Sequence, residues 1–213
     1  MISDHWPLCG LVVRTPRLEL RVPDQGLLGE LADVAVAGIH DPAVQPFVAA
    51  WTDAPRAQVA RSVLQWQWGQ WAAWRPAAWS LALVAIAEGR VIGTQDVNAE
   101  DFAVLREVRT GSWLGRAWQG RGYGTEMRAA VLELAFAGLD ARYATSEAFA
   151  DNDASYRVSR KLGYVDDGVA RYVVRGVPAV SRRLRLDRAG WAAARAVPVT
   201  VEGLEPCLPL FGV

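Results

Sequence analysis

The residues best suited to chemistry lie in one stretch, Ser112-Trp113-Leu114-Gly115-Arg116-Ala117-Trp118-Gln119-Gly120-Arg121-Gly122-Tyr123-Gly124-Thr125-Glu126. It reads as a strand, a short loop, a glycine-rich turn and the start of a helix. Three glycines at alternate positions leave the backbone bare, so a ligand can come close to its amides. Those amides point out of a helix start, where the macrodipole adds partial positive charge, and that suits a pyrophosphate. Two familiar phosphate loops do not fit. The Walker loop ends in Gly-Lys-Ser/Thr, whereas Gly124-Thr125 has no lysine. The dinucleotide fingerprint is G-x-G-x-x-G, whereas Gly120-x-Gly122-x-Gly124 is spaced differently. A plain structural turn without a ligand is the remaining alternative.

Other reactive side chains are few. The chain has two cysteines, Cys9 and Cys207, and two isolated histidines, His5 and His40, none in a CxxC or ligand-like spacing. No metal site is expected. Both thiols are expected to be reduced, a bridge between the two ends of the chain being the alternative. Lys and Arg balance Asp and Glu at 23 each over 213 residues, so no global field draws the chain to nucleic acid or to an anionic membrane. The opening residues lack the basic-then-apolar order of a signal peptide, and the apolar run Leu81 to Ala87 is far too short to cross a bilayer. A cytoplasmic protein is expected.

The elements that must position the glycine-rich turn follow from periodicity. Alternation over Arg17 to Val22 predicts a strand stopped by Pro23, and Asp24 caps a helix through about Gly38. A proline-punctuated stretch, Asp41 to Pro55, precedes a second helix, Pro55 to Trp74. That helix carries Trp66, Trp68, Trp71 and Trp74, more indoles than one stripe needs. They suit core packing or a contact with a second copy, or else one wall of a substrate pocket. Trp79 to Ala87 and Val91 to Val97 predict a hairpin through Glu88-Gly89-Arg90. Then come a strand at Val108 to Leu114, a helix at Thr125 to Ala137 and a strand at Tyr143 to Phe149. A short helix, Asp153 to Leu162, is closed by Gly163, and strands Val169 to Val174 and Val180 to Leu186 end the series. The order β-α-α-β-β-β-α-β-α-β-β is a mixed α/β layer structure. One domain over residues 1–190 is expected, with residues 191–213 as an extension packed on the body or on a second subunit.

Gln119-x-x-Gly122-x-Gly124 resembles the Q/R-x-x-G-x-G/A element of the GNAT acyltransferase superfamily, whose backbone amides hold the pyrophosphate of coenzyme A. Asn152-x-x-Ser155, followed by Lys161-Leu162-Gly163-Tyr164, resembles the family's second signature, and Thr15-Pro16-Arg17-Leu18-Glu19-Leu20 resembles the opening strand of the RimJ/RimL branch. Trp113-Leu114-Gly115, Gly122 to Arg128 and Asp151-Asn152-x-Ala154-Ser155 further resemble an actinobacterial subgroup associated with succinyl-CoA. The resemblance implies a twisted, mostly antiparallel sheet of about seven strands with one splayed parallel pair, flanked by four helices. It also implies an N-acyltransferase that moves an acetyl or succinyl group from an acyl-coenzyme A to a primary amine by direct attack, with no acyl-enzyme.

The same resemblance assigns the site. Coenzyme A contacts are expected from Trp113, Leu114, Gly115, Gln119, Gly120, Arg121, Gly122, Tyr123, Gly124, Thr125, Asn152 and Ser155, with Arg116 near its phosphates. A main-chain amide in Trp113 to Gly115 is expected to polarise the thioester carbonyl. Many relatives place a proton-donating tyrosine where this chain has Ser159, so Ser155 is the expected donor with Ser159 in reserve. Asn152, Ser155 and Ser159 share one helix face by spacing, with Tyr156 one step off it. Relatives also place a glutamate where this chain has Arg109, which leaves Glu107 and Glu147 as candidate bases. Arg109 suits the distal carboxylate of a succinyl donor instead. The acceptor stays open among protein N-termini, lysine side chains and small amines, and a homo-oligomer is compatible with the tryptophan load. The rival reading is a catalytically silent acyl-CoA-binding protein on the same fold.

Overall fold

A computed structural model describes residues 1–213. In chain order the elements are α1 (Ile2–His5), β1 (Val12–Arg14), β2 (Glu19–Arg21), α2 (Gln25–Ala37), α3 (Arg56–Ala73), β3 (Ala78–Ala87), β4 (Arg90–Glu100), α4 (Phe102–Leu105), β5 (Glu107–Leu114), α5 (Tyr123–Glu133), β6 (Tyr143–Phe149), α6 (Asp153–Lys161), β7 (Val165–Val174), β8 (Val177–Asp187), α7 (Arg188–Ala194) and β9 (Thr200–Glu202). All strands join one sheet in the order β7-β8-β6-β5-β4-β3-β2-β1-β9. Only β5 and β6 run parallel. The mixed α/β fold is the expected one, with nine strands where about seven were expected and seven α-helices where four were expected. The additional pair, β1 and β9, is three residues per strand, too short for alternation to show in a sequence.

Local chemistry sets most boundaries. The side chain of Asp24 accepts from the Leu27 N–H and starts α2, and that of Asn152 accepts from the Ser155 N–H and starts α6. Glu88 and Gly89 both have positive φ, as do Arg175 and Gly176, so both two-residue turns match the right-handed twist of their hairpins. Thr15-Pro16-Arg17 lies just outside strand structure: Thr15 N donates to Leu18 O and Leu18 N to the Thr15 hydroxyl, folding a turn between β1 and β2. α5 ends in a π turn, Leu134–Gly138.

Each face of the sheet carries its own core. On one, Val108, Met127, Ala130, Val131, Leu184 and Leu186 pack between the strands and α5. On the other, α2 and α3 press Leu28, Leu31, Val59 and Val63 onto Val84 and Val91. The C-terminal segment lies on the body, with β9 paired to β1 and Phe211 fully buried. Phe211 meets Trp79 edge-on at 4.8 Å between ring centroids, and Trp74 donates from Nε1 to Leu210 O. Burying one such aromatic ring contributes about 1.5–3 kcal/mol. Cys9 and Cys207 are free thiols, and burial pushes Cys207 up to about 11. No helix is long and apolar enough to cross a membrane.

Candidate active site

At the glycine-rich turn, Gly120 (φ 74°) and Gly122 (φ 84°) adopt the left-handed conformation, and Gly122 caps α5 with no side chain of its own. A β-carbon at either position would strain the backbone. The N–H groups of Gly120, Arg121 and Gly122 meet no acceptor within the chain, and Tyr123 and Gly124, in the first helical turn, have no residue four back inside the helix. The amides of Gly120 through Gly124 therefore stand in a bare row at the positive end of an 11-residue helix. Exposed Arg116 and Arg121 flank it, Arg121 lying over the Trp118 ring at 5.3 Å.

Neighbours hold the turn in shape. Gln119 donates from Nε2 to Leu114 O (2.8 Å) and Ile39 O (2.7 Å), tying the end of β5 to the end of α2. Buried Glu126 accepts from the Thr15 hydroxyl (2.6 Å), from Arg17 N (3.1 Å) and from Arg17 Nε (2.6 Å). Arg17 in turn donates to Arg121 O at 3.1 Å and lies over the Tyr123 ring at 4.7 Å. The Thr15-Pro16-Arg17 turn is thus a clamp on the base of the glycine-rich turn. Tyr123 is buried and donates to Glu88, and Thr125 N closes back on Gly122 O.

Beside this turn the sheet opens. β5 and β6 pair only at Glu107↔Tyr143, Val108↔Ala144 and Arg109↔Thr145, although β5 continues to Leu114 and β6 to Phe149. Beyond the last pair the two strands form a fork. Gly115 N bonds Ile92 O on β4, so by strand alternation the amides of Ser112 and Leu114 turn into the fork. The amide direction expected for residues 113–115 therefore falls on Leu114 within that span.

The fork has an unexpected occupant on its α5 side. Arg128 is buried and faces no carboxylate. It donates from Nη1 to Ser159 (2.8 Å) and Ser146 (3.2 Å), and from Nη2 to Ser112 (3.3 Å), while its Nε has no partner. Burial pulls its pKa below the ordinary value, against the opposing influence of the Tyr164 phenol. One guanidinium thus bolts β5, β6 and α6 together where the strands diverge. This corrects the expectation for Ser159: it is fully buried, accepts from Arg128 and donates to Ser155 O, so it does not share an open face with Ser155. Ser155 is partly exposed and its hydroxyl has no partner, whereas the Asn152 side chain is used as the helix cap. Tyr156 donates to Asp166.

The opposite face of the fork lies under α2 and α3. Trp113 meets Trp51 there at 6.1 Å, and Trp51 meets Phe47 at 5.5 Å. These rings wall that side, in place of the α3 tryptophans. Trp66 and Trp68 are exposed, Trp71 shares a shallow apolar cleft with Ile2 and Trp6, and Trp74 joins the aromatic cluster of the C-terminal segment. Arg109 is exposed at the last paired position, and Glu147 accepts from the Tyr172 hydroxyl at 2.7 Å. Glu107 sits at the closed end of the pair, roughly 13 Å of strand before Gly111, and the structure does not bring it to the opening. The tip of the β7–β8 hairpin reaches across, where Arg175 grips Asp53 with two hydrogen bonds of 2.6 and 2.7 Å and holds its carboxyl below the ordinary range.

Sequence reasoning missed one carboxylate on this face. Asp96, on β4, pairs in register with Ala82 on β3 and Gly111 on β5. It has no cationic partner, and its sole side-chain hydrogen bond is a long one, 3.3 Å, from the Thr94 hydroxyl. Burial pushes it up to about 7, with Thr94 pulling the other way. The cavity of about 440 Å³ between α2, the 41–55 loop and α3 takes no lining from β5, β6 or the glycine-rich turn. No group of three or more His, Cys, Asp or Glu side chains is placed to hold a metal.

Residues 17–165 match a family model described as an acetyltransferase (GNAT) domain. Among solved structures, the chain is similar to Mycobacterium smegmatis RimJ in complex with a CoA disulfide (TM-score 0.72, 17% identity, 90% of this chain and 97% of that one). It is also similar to RimL, a ribosomal L7/L12 alpha-N-protein acetyltransferase in complex with coenzyme A (0.67, 17%, 83% and 97%). A third likeness is to a GCN5-related N-acetyltransferase from Brucella melitensis (0.70, 19%, 86% and 81%).

Proposed function

The chain belongs to the GNAT acetyltransferase family, and on that premise we propose that it transfers an acyl group from an acyl-coenzyme A to a primary amine. The observation that carries this reading is the bare row of amides from Gly120 to Gly124 opening directly beside the β5–β6 fork. A pyrophosphate fits that row because glycine leaves the amides uncovered and the helix end favours an anion. Arg116 and Arg121 add cations for the remaining phosphates. The fork accepts the extended arm, and the Leu114 amide is the donor to the thioester oxygen.

Attack by the amine forms the C–N bond and a tetrahedral intermediate, from which the C–S bond then breaks, with no covalent enzyme intermediate. Cys207, buried and with its pKa raised, fits no nucleophilic role. Ser155, with its hydroxyl unpartnered, is the group to protonate the departing sulfur. The donor is an acetyl or succinyl thioester. Arg109, a cation at the base of the fork where the strands begin to part, favours a distal carboxylate, and so the succinyl option. Amine acceptors enter from the α2–α3 face. RimL, described as an alpha-N-protein acetyltransferase, makes a protein N-terminus the first acceptor to try, before lysine side chains and small amines. We place the activity in the cytoplasm.

Release of free thiol from acetyl-CoA and succinyl-CoA, followed across a panel of amines, tests the reading. Coenzyme A binding in calorimetry together with thiol release supports it. Binding with no release across the panel points to the silent acyl-CoA-binding alternative, which the absence of a tyrosine at position 159 favours. Arg109→Ala separates the donors: a selective loss with succinyl-CoA supports the carboxylate contact, and an equal loss on both removes it.

A further inference from the structure

Neither glutamate of the two fork strands is placed to act as a base. Glu107 lies at the closed end, and Glu147 is engaged by Tyr172. Asp96 differs from both. Its side chain points to the α2–α3 face, because its register partner on that face is Ala82, two residues from the core residue Val84. Across the ladder on β5 stands Gly111, directly between Thr110 and the fork residue Ser112. A β-carbon built on Gly111 would find only one atom within 4 Å, the Asp96 Oδ2 at 3.8 Å. Glycine therefore leaves a window, and the carboxylate looks across it.

We propose that Asp96 is the general base of the transfer, taking the proton from the attacking amine through the space above Gly111. This rests on the acyltransfer reading given above. The nitrogen gives up two protons over the reaction. One passes from the ammonium to the Asp96 carboxylate, directly or through one water, and frees the lone pair for attack. The second leaves as the C–S bond breaks and is balanced by the proton taken up by the sulfur. Asp96 then returns its proton to solvent.

The environment suits the task. A base is most effective when its pKa lies near the working pH, and Asp96 is held at about 7 by burial. Its neighbours in register are Ala82 on β3 and Gly111 on β5, Thr94 on its own strand donates to it, and Gln67 of α3 donates to Ala82 O. The charged residue nearest in register is Arg109, two positions along β5 from Gly111. Neither it nor any other cation forms an ion pair with Asp96, so the carboxylate is free to cycle.

The test compares wild type, Asp96→Asn and Gly111→Ala in thiol release against pH, with coenzyme A affinity measured by calorimetry on each. Wild type should show an acid limb in kcat/KM near pH 7. Asp96→Asn should bind coenzyme A as wild type does, lose about 10²–10⁴-fold in rate and lose that limb. Gly111→Ala adds one methyl at ordinary contact distance, so it should fold and bind coenzyme A while losing rate by at least about tenfold, the window being filled. Asp96→Asn within threefold of wild type, with the same limb, overturns the assignment while leaving the acyltransfer reading intact. A wild type that binds coenzyme A and releases no thiol sinks both.

Discussion

Arg128 Nη1 lies 2.8 Å from the hydroxyl of Ser159, the position where the family resemblance led to an expectation of tyrosine. Ser159 is fully enclosed and the buried guanidinium packs directly on its hydroxyl, which leaves little room for a larger side chain. Ser159→Tyr should overpack the site and cost about 1–3 kcal/mol or more. Arg128→Ala should leave Ser112, Ser146 and Ser159 without their donor and cost a similar amount. Because the two residues share one space, the double variant should be less destabilised than the sum of the singles. Denaturant melts of the four proteins check this, and strict additivity would refute the shared-volume account.

The glycine-rich turn makes a graded prediction for coenzyme A affinity. Gly122→Ala places a methyl at φ 84° and 3.3 Å from Arg17 Nη2. The strain of about 1–2 kcal/mol should weaken binding by roughly tenfold. Gly120 has φ 74° but open space around it, so its alanine variant pays the backbone cost alone. Gly124 is helical and meets only ordinary contacts at 3.8 Å, so Gly124→Ala should lose least. Calorimetric ranking in any other order would show that the amides do not carry the affinity.

The clamp below that turn is testable separately. Glu126 gathers Thr15 and Arg17 around one buried carboxylate, with Arg17 half-exposed. Glu126→Ala should cost about 1–3 kcal/mol, because Thr15 and the Arg17 N–H lose an acceptor while the guanidinium turns to water. Coenzyme A binding should weaken with it, since Arg17 also holds Arg121 O. Stability lost with affinity unchanged would confine the clamp to folding.

Local chemistry was readable in the sequence and tertiary geometry was not. Gly120 and Gly122 announce themselves because positive φ is a property of one residue and its neighbours. The caps Asp24 and Asn152 are local in the same sense. Arg128 stayed hidden because it stands beside Met127, Ala130 and Val131 on a helix whose apolar residues read as the inward set. An arginine among them passes for a surface residue until the fork is known. Asp96 was hidden because a strand pattern shows which residues alternate, not that the neighbour across the ladder is a glycine. The tryptophans mislead for the same reason. Four indoles between Trp66 and Trp74 suggest a pocket wall, but Trp51 and Trp113, 62 positions apart in sequence, supply the wall beside the fork.

The burial that suits Asp96 to accept a proton also makes stability depend on pH. Its folded pKa is about 7 against an ordinary 3.8. Below the lower value both folded and unfolded chains carry the proton, and Asp96 contributes no pH dependence. Between the two values the folded chain holds the proton while the unfolded chain releases it, so stability falls as pH rises. Above about pH 7 the full penalty stands, about 4 kcal/mol at most. Asp96→Asn cannot ionise, so its stability advantage over wild type should grow by about 2–3 kcal/mol between pH 5 and pH 8. Urea melts at the two pH values read this without any substrate. An advantage equal at both would mean that the carboxylate ionises in the folded chain as readily as in water, and its suitability as a base near neutral pH would fall with it.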